Sequence, residues 1–600
     1  MKFSVSDYVI FKLTDFGIKQ AFCVTGGAAS HLMESLRLST ITTIHNHHEQ
    51  ACSMAADSYA RVSKIPALVL CTNGPGVTNL ITGVAGAFQD SVPMIIITGQ
   101  VSTKQMMQNS RFKLRQLGVQ EILTEPIVES ITKAFVQILN PKDVVEKLDT
   151  ILNKMIAGRM GPVWIEIPLD VQPVIIDVDM KNSGKTYKQI EDTDSSEFCS
   201  EINSYLTEAK RPLLIVGNGV HLSNTETVFN KLFSKIGVPA VSTWSASDLF
   251  TSFNELYIGN FGVLGQRAAN YAIQRADLLI VLGSRLSIPN IGYSSEMFAP
   301  NAKKIMIDID ENELDKETII IDFKICKDLR KLIPCMASHL NSFKHHEEWR
   351  ISTKALKSKL LIANEAKIDS EEFIDSYDFI ELLSNNLTGD EIIVTDMGTS
   401  FTCTMQAFKN NGNNRLLTSS SLSSMGFGLP GAIGAACADL KNNKVICIAG
   451  DGGFQMNIQE LQTIIDNQLE VKIFVLNSNG YLAISIMQDN SFGSKYFGAN
   501  IESGVGAPSF AKIATAYGLS SSYLSSNLSD ASFEIEKIVK HKGSYLCEVP
   551  ISPKQLMRPR VQSVKKNDGK FSSGSIEAMW PLLPPKLEAE IENLMGSSEN

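Results

Sequence analysis

With 600 residues the chain exceeds what one hydrophobic core usually organises, and three domains are expected. Apolar residues at 44% and charged residues at 20% describe an ordinary globular protein, and a net charge of -9 excludes the basic footprint of a nucleic-acid binder. No apolar run reaches the roughly 18 residues of a membrane span, and Met1 to Asp7 lacks the apolar core of a signal peptide, so a cytoplasmic small-molecule enzyme is expected.

Along the chain, short β-rich apolar runs alternate with helical stretches. The first are Ala67 to Cys71, Met94 to Thr98 and Val163 to Pro168. Nearly continuous apolar strands separated by helices read as parallel sheets covered on both faces, so the expected class is α/β with three doubly wound parallel-sheet domains. The polar stretch from Met180 to Glu197 has no periodicity and reads as a linker that closes a first domain over 1–180. A second unit, over 195–345, carries Pro212 to Val220, Leu278 to Gly283 and Ile305 to Asp310, and the charged run from Lys344 to Glu348 follows it as a helical connection. A third, over 370–555, carries strands at Ile392 to Thr395, Val445 to Ala449 and Val471 to Leu476, whose order the sequence does not specify. The tail over 556–600 reads as irregular and frayed from Met595 to Asn600. Ten cysteines, from Cys23 to Cys547, form no C-x-x-C pair, and buried free thiols are the favoured reading over disulfides or metal ligands.

The sharpest local signal is Gly450-Asp451-Gly452-Gly453, directly after an apolar strand and before a helical stretch. Glycines at a strand's C-terminal end admit a phosphate to the backbone, the following helix N-terminus favours its charge, and Asp451 offers a hard oxygen to magnesium. Alone, such a tetrapeptide is more often a plain strand-to-helix turn. A second strand ends at Leu476-Asn477-Ser478-Asn479-Gly480-Tyr481, 26 to 29 residues beyond Asp451, and its oxygens suit the rest of a metal shell. Together the two segments resemble the motif of thiamine-diphosphate-dependent enzymes.

The resemblance extends to about residue 550. His48-Glu49-Gln50-Ala51, Asn73-Gly74-Pro75-Gly76, Thr98-Gly99-Gln100 and Leu422-Ser423-Ser424-Met425-Gly426-Phe427-Gly428-Leu429-Pro430 are similar to segments of the acetolactate-synthase-like branch. Taken singly, Glu49 reads as a surface carboxylate and Met425 as a core methionine. The resemblance implies instead that Glu49 is catalytic, hydrogen-bonding the pyrimidine so that the 4-amino group takes the thiazolium C2 proton, and that Met425 lies beneath the bent cofactor. It further implies cofactor contacts at Gly74, Gly398, Thr399, Ser423, Gly452, Gly453 and Tyr481, with magnesium on Asp451, Ser478 and the Gly480 carbonyl. Asn477 is the alternative ligand. A pyrimidine-binding, a central and a diphosphate-binding domain follow, with a homodimer or dimer of dimers as the working unit. FAD is a possible second cofactor, contacted by Arg159.

Departures from the family bear on the substrate. Ser478 replaces the second asparagine of the motif, Ser419 to Ser424 replace a glycine-rich run and are expected to narrow the pyrimidine pocket, and Thr399 and Ser400 stand where Gln and His are usual. Gln100, Val119, Gln120 and Met487 are the candidate substrate-pocket residues; Val119 and Met487 replace aromatics and enlarge the acceptor side. The expected reaction is decarboxylation of a 2-oxo acid, pyruvate foremost, and addition of the acyl carbanion equivalent to a carbonyl acceptor. Arg558 to Ser563 and Ile576 to Pro584 resemble a branch associated with modified sugars, which adds a keto-sugar to 2-oxo acids as the acceptor. Simple non-oxidative decarboxylation and a non-catalytic cofactor-binding relative are the alternatives.

Overall fold

The computed structural model describes residues 1–179, 195–343, 346–365, 367–438, 444–565 and 571–595. The expected linker lies outside these residues up to 194, as do 344–345 of the charged connection and the last five residues.

In the N-terminal domain the apolar runs become β1 (Gln20–Cys23), β2 (Thr42–His45), β3 (Ala67–Cys71), β4 (Met94–Gln100), β5 (Ala134–Gln137) and β6 (Val163–Pro168). All pair in parallel, in the order β2-β1-β3-β4-β6-β5. Strand alternation sends Leu68, Leu70, Ile95 and Ile97 into one core and Val69, Met94 and Ile96 into the other, so both faces are covered. Helices α1 (Glu49–Ser63) and α2 (Pro75–Gln89) follow β2 and β3.

The central domain opens with helix α3 (Ser196–Glu208), whose first two residues fall in the stretch expected to be linker. Its strands are β7 (Pro212–Val216), β8 (Ala240–Ser242), β9 (Tyr257–Asn260), β10 (Leu278–Leu282), β11 (Lys303–Asp308) and β12 (Phe323–Cys326), and helix α4 (Leu329–His339) follows. The order β9-β8-β7-β10-β11-β12 is that of dinucleotide-binding sheets, whose crevice lies where the winding reverses, between β7 and β10.

The C-terminal domain contains β13 (Ile392–Thr395), β14 (Arg415–Leu417), β15 (Val445–Gly450), β16 (Val471–Asn477), β17 (Ser520–Tyr523) and β18 (Tyr545–Pro550). Its helices include α5 (Thr399–Ala407), α6 (Gly428–Ala438), α7 (Asp451–Met456) and α8 (Leu482–Phe492). The parallel order β14-β13-β15-β16-β18-β17 repeats the path of the N-terminal sheet.

These two domains share a core. Cys52, Ala55 and Ala56 of α1 pack with Leu429, Ala432 and Ile433 of α6, and a Cβ at Gly434 would lie 1.9 Å from the Ala55 carbonyl oxygen, so only glycine permits this approach. Arg61 ties the seam, bridging Asp57 and Asp90 and donating to the Thr418 carbonyl at 3.2 Å. Beyond 556 the chain is less irregular than its composition suggested. Arg560–Val561 pairs with Met579–Trp580, and a helix over Pro585–Met595 buries Ile591 and Met595 in the central core.

Candidate functional site

β13 and β15 are sheet neighbours from which the crossovers depart in opposite directions, and the crevice beyond their C-terminal ends is the C-terminal domain's topological switch point. Gly398 caps α5 there at φ +80, and a Cβ at Gly398 or Gly450 would meet no atom within 4 Å. These positions leave an open, backbone-lined cradle beside a helix N-terminus, the environment a diphosphate needs. A Cβ at Gly452 would collide with the Tyr481 ring at 2.4 Å and approach Met425 Cε at 3.0 Å, so glycine lets both side chains close over the turn.

Behind the cradle sits an oxygen cluster. Asp451 Oδ2 accepts from the Ser478 and Gly480 amides at 2.9 and 3.1 Å, Ser478 Oγ lies 3.3 Å from it, and the same hydroxyl lies 3.2 Å from the Gly480 carbonyl. Burial pushes the Asp451 carboxyl above the ordinary carboxylate range, against the pull of the Gly480, Gly452 and Ser478 amides that donate to it. One carboxylate, one hydroxyl and one carbonyl form the donor set of a hard divalent cation, and its charge would restore the ionised form. Asn477 is engaged elsewhere: its amide donates to Glu548 at 2.7 Å and its oxygen accepts from the Asn479 amide at 2.9 Å.

Asp396 escaped the sequence reading. It is fully buried at the end of β13, accepts from the Met397, Gly426 and Gly428 amides at 2.8 to 3.1 Å, and fixes the turn that carries Met425. Burial raises its pKa to about 6, with those amides opposing the shift. An aspartate between an apolar strand and a glycine-capped helix was the available signal, the same pattern that exposed Asp451. Thr399, at the start of α5, is half-buried, whereas Ser400 donates to the Met397 carbonyl at 3.2 Å and is not available to a phosphate in this arrangement.

On the N-terminal side, Glu49 opens α1, half-buried, and accepts from Asn79 at 2.9 Å. The next residue, Gln50, accepts from Asn457, whose amide also donates to the Gly426 carbonyl, linking the start of α1 to the turn after Met425. Among the described residues no hydrogen bond joins Glu49 itself to the Asp451 cluster. Gly74 caps α2 at φ +59, and its bare Cα admits the Gln120 carbonyl, which would stand 2.2 Å from a Cβ.

The structure divides the substrate-pocket candidates. Val119 is 80% exposed, Gln120 is exposed at φ +57 and Met487 on α8 is 42% exposed. Gln100 is 1% exposed, with its oxygen accepting from the Val101 amide at 2.9 Å and its amide donating to Glu166 at 3.2 Å. Glu166 is itself buried and needs those donors, which holds Gln100 inward. The serine run also behaves differently from expectation. Ser420 Oγ donates to Asp90 at 3.0 Å and Ser421 Oγ accepts from Arg285 at 2.7 Å, while Ser423 is exposed at φ +58. Ser420 and Ser421 are therefore spent at the seam with the other domains.

Both serines line a cavity of about 240 Å³ at the C-terminal edge of the central sheet. Asn218 and Gly219 after β7, Gly283 after β10 and Asp308 at the end of β11 form its floor. The glycines bring the loops into contact, with the Gly219 amide 3.0 Å from the Gly283 carbonyl. Arg159 is on the wall, but its guanidinium is paired with Asp310 and Glu313 at 3.1 and 2.9 Å.

Three models of thiamine pyrophosphate enzymes match in succession: the N-terminal TPP binding domain over 3–122, the central domain over 199–336 and the C-terminal TPP binding domain over 396–549. The chain belongs to the thiamine pyrophosphate enzyme family. It is 32% identical to the acetolactate synthase isozyme 1 large subunit of Escherichia coli (strain K12), over 93% of this chain and 96% of that one. The acetolactate synthase large subunit of Cyanidium caldarium is 31% identical over 93% and 95%, and the Escherichia coli isozyme 2 large subunit is 28% identical over 97% of each. The chain is thus a thiamine-diphosphate-dependent enzyme of transferase type with acetolactate-synthase-like relatives. No helix among the described residues is long and apolar enough to cross a membrane.

Proposed function

We propose that the chain is a carboligase that decarboxylates pyruvate and transfers the two-carbon unit to a carbonyl acceptor. The observation that carries this reading is the convergence of Asp451, Ser478 and the Gly480 carbonyl beside the glycine cradle at the switch point. Thiamine diphosphate, when bound, supplies the electron sink for loss of carbon dioxide and the carbon nucleophile. Asp451, Ser478 and the Gly480 carbonyl would hold magnesium, Gly398, Thr399, Gly452 and Gly453 would take the diphosphate, and Met425, Ser423 and Tyr481 would line the cofactor between its two ends. Glu49, oriented by Asn79, would hold the proton of a hydrogen bond to the pyrimidine.

Val119 and Met487, which stand where the family's aromatics are usual, support an acceptor larger than a second pyruvate, a keto-sugar being the preferred class. Exposed apolar side chains near these positions, including Leu117, Phe492 and Phe497, support burial against a second copy and hence a homodimer. Free thiols at all ten cysteines support a cytoplasmic setting. The central cavity, with its dinucleotide-type strand order and touching glycine loops, suits FAD. Reconstitution with FAD followed by gel filtration and visible absorption decides that point.

The deciding experiment is carbon NMR on the protein with thiamine diphosphate, magnesium and labelled pyruvate, with and without a keto-sugar. A labelled carbon joined to acceptor or to a second pyruvate supports carboligation; acetaldehyde as sole product replaces it with plain decarboxylation.

A further inference from the structure

Away from the cofactor site, two helices of the central domain bring three soft donors together. Cys199 lies on α3, and Cys335 and His339 lie four residues apart on α4, a spacing that places both on one helix face. The two Sγ atoms are 3.2 Å apart, His339 Nδ1 is 3.5 Å from Cys335 Sγ, and the three ligand atoms all fall within 4.8 Å of one another. In tetrahedral zinc, bonds of about 2.3 Å to sulfur and 2.0 to 2.1 Å to nitrogen separate two sulfurs by roughly 3.8 Å and sulfur from nitrogen by roughly 3.6 Å. Opening the sulfur pair by about 0.6 Å would complete that geometry for the two thiolates.

The surroundings favour an ion. Cys199 is buried, Cys335 partly buried and His339 exposed, so the cluster has a sealed floor and an access path from solvent. Asn203, one turn beyond Cys199, donates to the His339 carbonyl at 3.0 Å and accepts from the Asn341 amide at 3.0 Å, which pins the end of α4 against α3. His339 Nδ1 also lies 2.9 Å from the Cys335 carbonyl, where its proton rests in the metal-free chain. Ligation turns that nitrogen to the ion, moves the proton to Nε2 and releases two thiol protons to water. Two thiolates then neutralise a divalent cation, and a neutral imidazole and one water complete four ligands, so Cys199 stays buried without net charge.

We propose that Cys199, Cys335 and His339 bind a thiophilic divalent cation of the zinc type, clamping α3 to α4. No C-x-x-C spacing announces the site because its sulfurs are 136 residues apart in the chain. Its donors are soft where those around Asp451 are hard oxygens, so the two sites select different metals.

Cobalt(II) is the probe, added to the full chain under a non-thiol reductant with thiamine diphosphate and excess magnesium present to fill the oxygen site. One cobalt per chain is expected, with a sulfur-to-metal charge-transfer band and tetrahedral visible bands that zinc removes. Cys335→Ser should weaken the charge-transfer band by about half and lower affinity at least about 100-fold, and His339→Asn, at an exposed position that leaves the fold intact, at least about 10-fold. Absence of the charge-transfer band in the wild type overturns the proposal, as does an unchanged band in folded Cys335→Ser or an unchanged cobalt affinity in folded His339→Asn. Recovery of Cys199 joined to Cys335 as a disulfide from the reductant-treated protein, with no cobalt taken up, overturns it equally.

Discussion

The first and last domains follow one strand path, β2-β1-β3-β4-β6-β5 in one and β14-β13-β15-β16-β18-β17 in the other, yet their crevices differ in kind. At the C-terminal domain's switch point the turns are stripped to glycine at 398, 450, 452 and 453, and polar oxygens converge on Asp451. The N-terminal domain instead presents Glu49, whose carboxylate accepts from the Asn79 side-chain amide. A shared topology therefore fixes where a ligand can sit, while loop chemistry decides whether the domain anchors it or works on it. The sharpest way to break this division is to cut each half. Asp451→Ala should weaken magnesium-dependent cofactor binding by more than about 100-fold, read by calorimetry with and without magnesium. Glu49→Gln should leave that affinity within a few-fold and lower kcat by roughly 1,000-fold. Equal losses of binding in both variants would erase the distinction between anchoring and working halves.

A smaller effect sharpens the anchoring side. Ser478→Ala removes one neutral ligand and should cost about 10-fold in cofactor affinity, some 1.4 kcal/mol. Asn477→Ala should leave affinity alone and lower the melting temperature, because its amide serves Glu548 on the neighbouring strand β18. Reversed outcomes would move the metal to Asn477.

How far the sequence disclosed these features follows from how local each is. The strands were legible because apolar runs such as Val445 to Ala449 are contiguous, and the cradle because Gly450 to Gly453 lies in four consecutive positions. Strand order was not, since parallel pairing is fixed by contacts far apart in the chain, as between β13 and β15. For the same reason the common path of the two outer sheets went unseen. The bond that holds Gln100 inward was not legible, because its partner Glu166 is 66 residues away. Ser420 and Ser421 were assigned to the pyrimidine because nothing near them in sequence points to Asp90 or Arg285. Single aspartates such as Asp396 carry little signal until the backbone amides around them are placed.

The seam between the two outer domains offers a comparison of stabilities. Replacing a helical glycine with alanine ordinarily stabilises by about 0.5 to 1 kcal/mol. Gly86 on α2 should follow the rule: the nearest atoms to an added Cβ are Ser419 Oγ at 3.6 Å and Leu422 Cδ2 at 3.9 Å. Gly434 on α6 should reverse it, because backbone of α1 stands 1.9 Å from the added carbon and the helices must part. The apparent melting temperature is expected to rise slightly in Gly86→Ala and fall by several degrees in Gly434→Ala. A rise in both would show that α1 and α6 are not in close contact.

The smallest expected effect is the pH slope that Asp396 contributes in the anchoring half. Burial raises the pKa of Asp396 to about 6, so between about pH 4 and 6 the folded chain keeps a proton that the unfolded chain has lost. Its contribution to stability is complete below the unfolded value, declines as pH rises through that window and is constant above it. Asp396→Asn cannot titrate, and it also mismatches an amide N–H against the Gly428 donor, so it should be less stable throughout. Its melting temperature should nevertheless lose less than the wild type's between pH 4 and 6, measured on cofactor-free protein. Identical slopes would mean that Asp396 stays ionised across the window, with its amide donors outweighing burial.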